Sequence, residues 1–383
     1  MELAFSPEQE ALSRTLRAFA RTELAPHSRE WDTSGTFPWE AWRQMGALGI
    51  LGFRVPAALG GQEIDLVSAG IAMEEIARGD FSATYGIQLA GLAGQLLGRS
   101  ATDEVKERWL PSTARGETII ALALTEPSAG SDAANLGCRA ARDGDGYVLT
   151  GEKSGISLGM VAHAAIVFAR TGTDTGARGV TAFLVPLDLP GVHRDPLRDL
   201  GTRAIARAVL SFDHVRIPAS HRVGAEGTGF RQVMEGFDYN RALIALSCLG
   251  AAQVSIEEAM AYVKERRAFG RALATFEGVS FPIAEAATHI EAARWLSYRA
   301  LWLADRGLPH TRESAMVKWW APKLSVETIH ECLLLHGHYG YTEELPFEQR
   351  LRDVMGLEIG DGTAQIMKVI VARELMGRES LPY

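Results

Sequence analysis

The 383-residue chain is 47% apolar and 22% charged, enough apolar material for a large buried core and too much for a disordered chain. Its 39 Lys+Arg against 47 Asp+Glu leave a formal charge of −8, which gives no broad basic field for nucleic-acid phosphates. Cys138, Cys248 and Cys332 are odd in number and widely separated, without metal-finger or redox-pair spacing, so a reducing compartment is expected and a disulfide framework is not.

Met1-Glu2-Leu3-Ala4-Phe5 carries no basic segment followed by a long apolar run, and no later stretch reads as a membrane span, so the expected location is the cytoplasm. Ser6-Pro7-Glu8-Gln9 reads as a helix start: Ser6 can cap, Pro7 suits the first turn, and Gln9 can reach back to complete a capping box. Leu12, Leu16, Phe19 and Leu24 follow at helical spacing, as do the sets around Trp42, Met45 and Leu48 and around Val67, Ile71 and Ile76, with a break at Gly60-Gly61.

From Ile119 the texture changes to short apolar runs, 119–124, 164–169, 181–185 and 208–212, with the turn residues Asp143-Gly144-Asp145-Gly146 among them. Beyond Gly229 helical periodicity returns through 254–263, 283–303 and 317–335, and a last amphipathic segment runs from Thr363 to Leu375. The order is helices, strands, helices, an α+β chain divided as 1–118, 119–228 and 229–383, with no linker between the sections, so a ligand would sit between packed parts.

Leu124-Thr125-Glu126-Pro127-Ser128-Ala129-Gly130-Ser131-Asp132 resembles the flavin-binding signature of acyl-CoA dehydrogenases. The match extends, in family order, to Phe37-Pro38, Val55-Pro56, Leu200-Gly201-Thr202-Arg203, Phe212-Asp213-His214-Val215-Arg216-Ile217-Pro218, Arg266-Arg267-Ala268-Phe269-Gly270 and Gly362-Thr363-Ala364-Gln365-Ile366. The resemblance implies an N-terminal helical domain, a central β-barrel or sheet domain and a C-terminal four-helix bundle. It implies FAD between the last two, an acyl-CoA substrate, a homotetramer built as a dimer of dimers, and electron-transferring flavoprotein as a partner.

By the same resemblance Asp361, where most members have glutamate, is the base that takes the α-proton. Leu122, Leu124, Thr125, Gly130, Ser131, Ile156, Ser157, Thr363 and Gln365 hold FAD, and Arg266 and Phe269 reach the FAD of an adjacent subunit. Ser131, Arg241 and Gly362 meet the substrate. Read without the family, Asp361 would cap the helix near Thr363, Arg241 would be a surface cation and Arg266-Arg267 a solvated face.

Several positions depart from the family pattern. Asn240 stands at an alternative base position and cannot accept a proton, which leaves Asp361 the only carboxylate at either place. Gly155 replaces an aromatic residue that covers the flavin, so a more exposed ring is expected; Glu277, Leu334 and His338 alter residues near the FAD adenosine. A shortened base suggests a branched or alicyclic acyl group. The same departures leave open a flavin oxidase of this fold, an acyl-thioester binder without catalysis, and a carrier-protein thioester in place of CoA.

Other constellations are rejected. Gly360-Asp361-Gly362 lacks the strand, third glycine and downstream acid of a dinucleotide fold. Ser128 and Ser131 form no nucleophile elbow, and His336-Gly337-His338 has no further ligand at a recognised metal spacing.

Overall fold

The computed structural model describes residues 4–377 and Glu379; Met1–Leu3, part of the N-terminal segment read above, lie outside them. Helices α1 (Pro7–Phe19), α2 (Ala25–Ser34), α3 (Trp39–Ala47), α4 (Leu66–Ala77), α5 (Thr84–Ser100) and α6 (Asp103–Ala114) come first. The Ser6 hydroxyl accepts from the Gln9 N–H and the Gln9 side chain accepts from the Ser6 N–H, the capping box expected at this helix start. The break falls at Gly60-Gly61, where a Cβ on Gly61 would lie 1.8 Å from the Val55 carbonyl oxygen, so only glycine lets the chain pass.

Strands β1 (Ile120–Ala123), β2 (Arg139–Asp143), β3 (Gly146–Ile156), β4 (Ala164–Arg170), β5 (Val180–Pro186), β6 (Val192–Pro196), β7 (Ala208–Pro218) and β8 (Arg222–Val223) form one sheet in the order β6-β7-β3-β2-β4-β5-β8, with β1 parallel to β4. The four apolar runs read from the sequence are β1, β4, β5 and the start of β7. β2, β3 and β6 escaped because they are largely half-buried or exposed, which dilutes their apolar content. Asp143 pairs with Gly146 across a hairpin turn in which Gly144 has φ +60, the left-handed backbone such turns require.

The last section holds α7 (Gly229–Glu265), the small hairpin β9 (Arg267–Ala268) and β10 (Arg271–Ala272), α8 (Glu277–Asp305), α9 (Thr311–Leu335), α10 (Phe347–Met355) and α11 (Ala364–Met376). The periodicity at 254–263 marks only the last part of α7. From Tyr239 to Ala252 every residue of that helix is buried, so no polar face betrays its turn. Its most apolar window is 72% buried inside the fold, which makes it a core helix although it is long enough to cross a bilayer.

Helices α4, α8 and α9 pack on α7, and the Asp305 carboxylate at the end of α8 accepts from the Leu66 and Val67 N–H groups at the start of α4. A second junction joins all three sections. The Thr202 N–H after β6 donates to Asp353 of α10 at 2.5 Å, Arg352 pairs with Asp32 of α2 at 2.6 Å, and Gln349 donates to Ser28, which donates to Asp80 at 2.5 Å.

Candidate active site

Asp361 lies in the turn between α10 and α11 with φ +55, a left-handed conformation that aspartate tolerates better than most residues. It does not cap α11: Thr363 is the N-cap, its hydroxyl accepting from the Ile366 N–H at 3.3 Å. The carboxylate is directed elsewhere. Gln88 of α5, 4% exposed, donates from Nε2 to Asp361 Oδ2 at 2.6 Å.

The backbone of this turn is fixed from below. Lys318 of α9, 1% exposed, donates from Nζ to the Leu357 carbonyl at 2.6 Å and to the Gly362 carbonyl at 3.2 Å. Burial pulls its ammonium down to about 8, against the opposing pull of the Asp361 and Cys248 charges. Arg241 of α7 is 6% exposed, not a surface cation, and pairs with Asp238 at 2.7 Å. Burial lowers its guanidinium below the usual range, while the Asp238 and Asp361 carboxylates oppose that shift, and its Nε has no partner among the described residues. Tyr85, one turn before Gln88 on α5, is raised chiefly by burial and then by the Asp361 charge. The buried cation and the phenol both register the Asp361 charge.

The residues expected to hold the flavin lie at the end of the sheet. Leu122 lies in β1, and Leu124 and Thr125 follow it directly. The Ser154 N–H donates to the Thr125 carbonyl at 2.9 Å, which sets Thr125 beside Ile156 and Ser157 at the end of β3. Glu126 locks the loop that carries Gly130 and Ser131. Its carboxylate accepts from the Gly137 and Cys138 N–H groups at 2.6 and 3.0 Å and from Lys153 Nζ at 2.7 Å, and Lys153 also donates to the Leu124 carbonyl. Both partners of this pair are buried, so the loop is held where water cannot compete.

The Thr125, Ser131 and Ser157 hydroxyls, the Gln365 amide and the Arg266 guanidinium hydrogen-bond to nothing else among the described residues. Uncommitted donors of this kind fit a ligand with ring carbonyls and a pyrophosphate, as FAD has. The pair expected to reach the FAD of an adjacent subunit lies apart. Arg266 and the 95% exposed Phe269 follow the far end of α7, Arg266 about 38 Å along the helix from Arg241 at 1.5 Å per residue. Within one chain they cannot serve the Asp361 space.

Gly155 does not leave an open gap. A Cβ built there would lie 2.8 Å from Arg207 Nη2, so that guanidinium holds the place. Gln88, Tyr85, Lys318 and Arg207 went unread in the sequence. For Lys318 and Gln88 a signal existed: each is a lone polar residue inside an apolar helical run, Met316-Val317-Lys318-Trp319 and Ile87-Gln88-Leu89, where an unpaired polar group would be costly.

Three family models match the chain, described as acyl-CoA dehydrogenase N-terminal domain over residues 6–117, middle domain over 121–215 and C-terminal domain over 227–376. A short-chain specific acyl-CoA dehydrogenase of Clostridium acetobutylicum is 34% identical over 379 residues, covering 98% of this chain and 100% of that protein. The structure of butyryl-CoA dehydrogenase from Megasphaera elsdenii aligns with TM-score 0.94 at 30% identity over 98% of this chain and 100% of that one. PigA with FAD and proline aligns with TM-score 0.95 at 27% identity over 99% and 100%.

Proposed function

Since the chain belongs to the acyl-CoA dehydrogenase family, an FAD-dependent class of oxidoreductases, we propose that it desaturates the α,β-bond of an acyl-CoA thioester with Asp361 as the base that takes the α-proton. One observation carries the assignment. Asp361 is half-buried and presented on a left-handed turn, with Gln88 on its carboxylate and Lys318 on the neighbouring Leu357 and Gly362 carbonyls, and its charge is felt by the buried Arg241.

FAD, when bound, supplies the acceptor for the hydride that leaves the β-carbon. The chain's own groups do the rest. Thr125, Ser131 and Ser157 orient the ring through their free hydroxyls, with Leu122, Leu124, Gly130 and Ile156 shaping its edge. The Gly362 N–H polarises the thioester carbonyl, so that charge developing there as Asp361 accepts the proton is stabilised. Thr363 and Gln365 stand at the start of α11 for the rest of the cofactor. Arg266 and Phe269, remote from their own Asp361, serve a neighbouring copy, which supports a dimer of dimers.

Aspartate is one methylene shorter than glutamate, about 1.5 Å of reach. A branched or alicyclic acyl group, which brings its α-carbon nearer the wall, suits that shorter arm. Electron-transferring flavoprotein is the proposed acceptor, and three buried free thiols fit a reducing cytoplasm.

The test is anaerobic mixing of FAD-loaded protein with short, branched, cyclic and long acyl-CoAs. The parent protein is expected to bleach the oxidised flavin band, and Asp361→Ala to slow bleaching about 10³-fold with FAD still bound, as for loss of a general base. An Asp361→Ala protein that bleaches at the parental rate refutes the assignment.

A further inference from the structure

The edge of the sheet at Gly155 carries a charge rather than a ring. Gly155 has φ +69, and the only side-chain atoms near the position of a Cβ there are Arg207 Nη2 at 2.8 Å and Cζ at 3.9 Å. Arg207 is delivered to this place by a strained loop. Ala206 has φ +50, a backbone state that costs a residue with a Cβ about 1–2 kcal/mol. The loop is held there by Leu158 N–H to the Ile205 carbonyl at 2.9 Å and Met160 N–H to the Ala206 carbonyl at 3.1 Å, directly after Ile156 and Ser157.

The guanidinium has one firm anchor. Its Nη1 donates to Asp199 Oδ1 at 2.8 Å, whereas Nε and Nη2 only approach the Gly155 carbonyl, at 3.4 Å. Both partners are partly buried, with side chains 33% and 20% exposed, so water screens the pair incompletely. Burial raises the Tyr85 phenol most, the Asp361 charge raises it further and the Arg207 charge lowers it.

We propose that Arg207 stands in for aromatic cover as a fixed positive charge beside bound FAD and raises its reduction potential, with Asp199 setting how much of that charge the cofactor sees. This rests on reading the Thr125, Ile156 and Ser157 edge as the ring site. Reduction adds negative charge to the cofactor, and a cation held against it in a partly dry site favours the more negative form. A carboxylate on the far side of that cation takes part of the effect away. The two residues therefore act with opposite sign.

The experiment measures the midpoint potential of bound FAD by dye-coupled reduction of the holoprotein, alongside FAD stoichiometry. Arg207→Gln is expected to lower the potential, Arg207→Lys to stay near the parent, and Asp199→Asn to raise it. A purely structural role for the pair would move Arg207→Gln and Asp199→Asn in the same direction, and that result overturns the proposal, as does a potential that neither substitution moves. A parent protein that takes up no FAD overturns the site reading and this inference together. Normal FAD uptake with an unmoved potential overturns this inference alone.

Discussion

At the scale of single residues, the proposed base is specified by what holds it. Gln88 donates to one carboxylate oxygen of Asp361 and so fixes which way the shorter side chain leans. A hydrogen bond to an ionised group is worth about 1.5–3 kcal/mol, and small misplacements of a reacting group cost disproportionately in rate. Gln88→Leu is expected to lower kcat about tenfold, as a lost bond of about 1.5 kcal/mol implies, with FAD uptake unchanged; stopped-flow flavin reduction checks it, and an unaltered rate removes Gln88 from the site. Asp361 itself was legible through the family register of Gly362-Thr363. Its partners were not, because a glutamine from α5 meets it across 273 positions of sequence, and no local pattern encodes that contact.

At the scale of elements, the turn between α10 and α11 depends on a buried lysine, 1% exposed. Two backbone carbonyls lean on the Lys318 ammonium, and removing it leaves both without that donor, each at about 1–3 kcal/mol. Lys318→Met is expected to lower the melting temperature and to reduce kcat more than it raises KM, since it loosens the base and leaves acyl contacts alone. Steady-state kinetics beside a thermal melt separate the two effects. The helices with a polar face, such as α1 and α11, could be read from periodicity and caps. The first part of α7 could not, since a helix apolar on every side has no phase. The strands divide in the same way: buried β4 and β5 announce themselves, and half-exposed β3 and β6 do not.

At the scale of the whole molecule, the junction of Asp32, Asp80 and Asp353 makes stability depend on pH. Burial raises Asp353 to about 8 and Asp80 to about 6, from ordinary values of 3.8. Between the ordinary and the raised value the folded state holds a proton that the unfolded chain has released, so stability declines as pH rises through that interval and levels off above about 8. The melting temperature is therefore expected to fall from pH 6 to pH 9 in part through this group, and Asp353→Asn, which keeps an oxygen for the Thr202 N–H, is expected to flatten that fall. A melt series whose slope is the same in both proteins rules the group out. The three-section order of the chain was plain in the sequence, but the acid that ties the sections together looks like any surface aspartate until its neighbours close over it.

Asp361 takes its side-chain partner from the first helical section, while Lys318 of the last holds the Leu357 and Gly362 carbonyls on either side of it. The proposed base is thus completed only when the first and last sections of the chain have met. Before those sections close on each other, the Asp361 carboxylate lacks the glutamine that orients it.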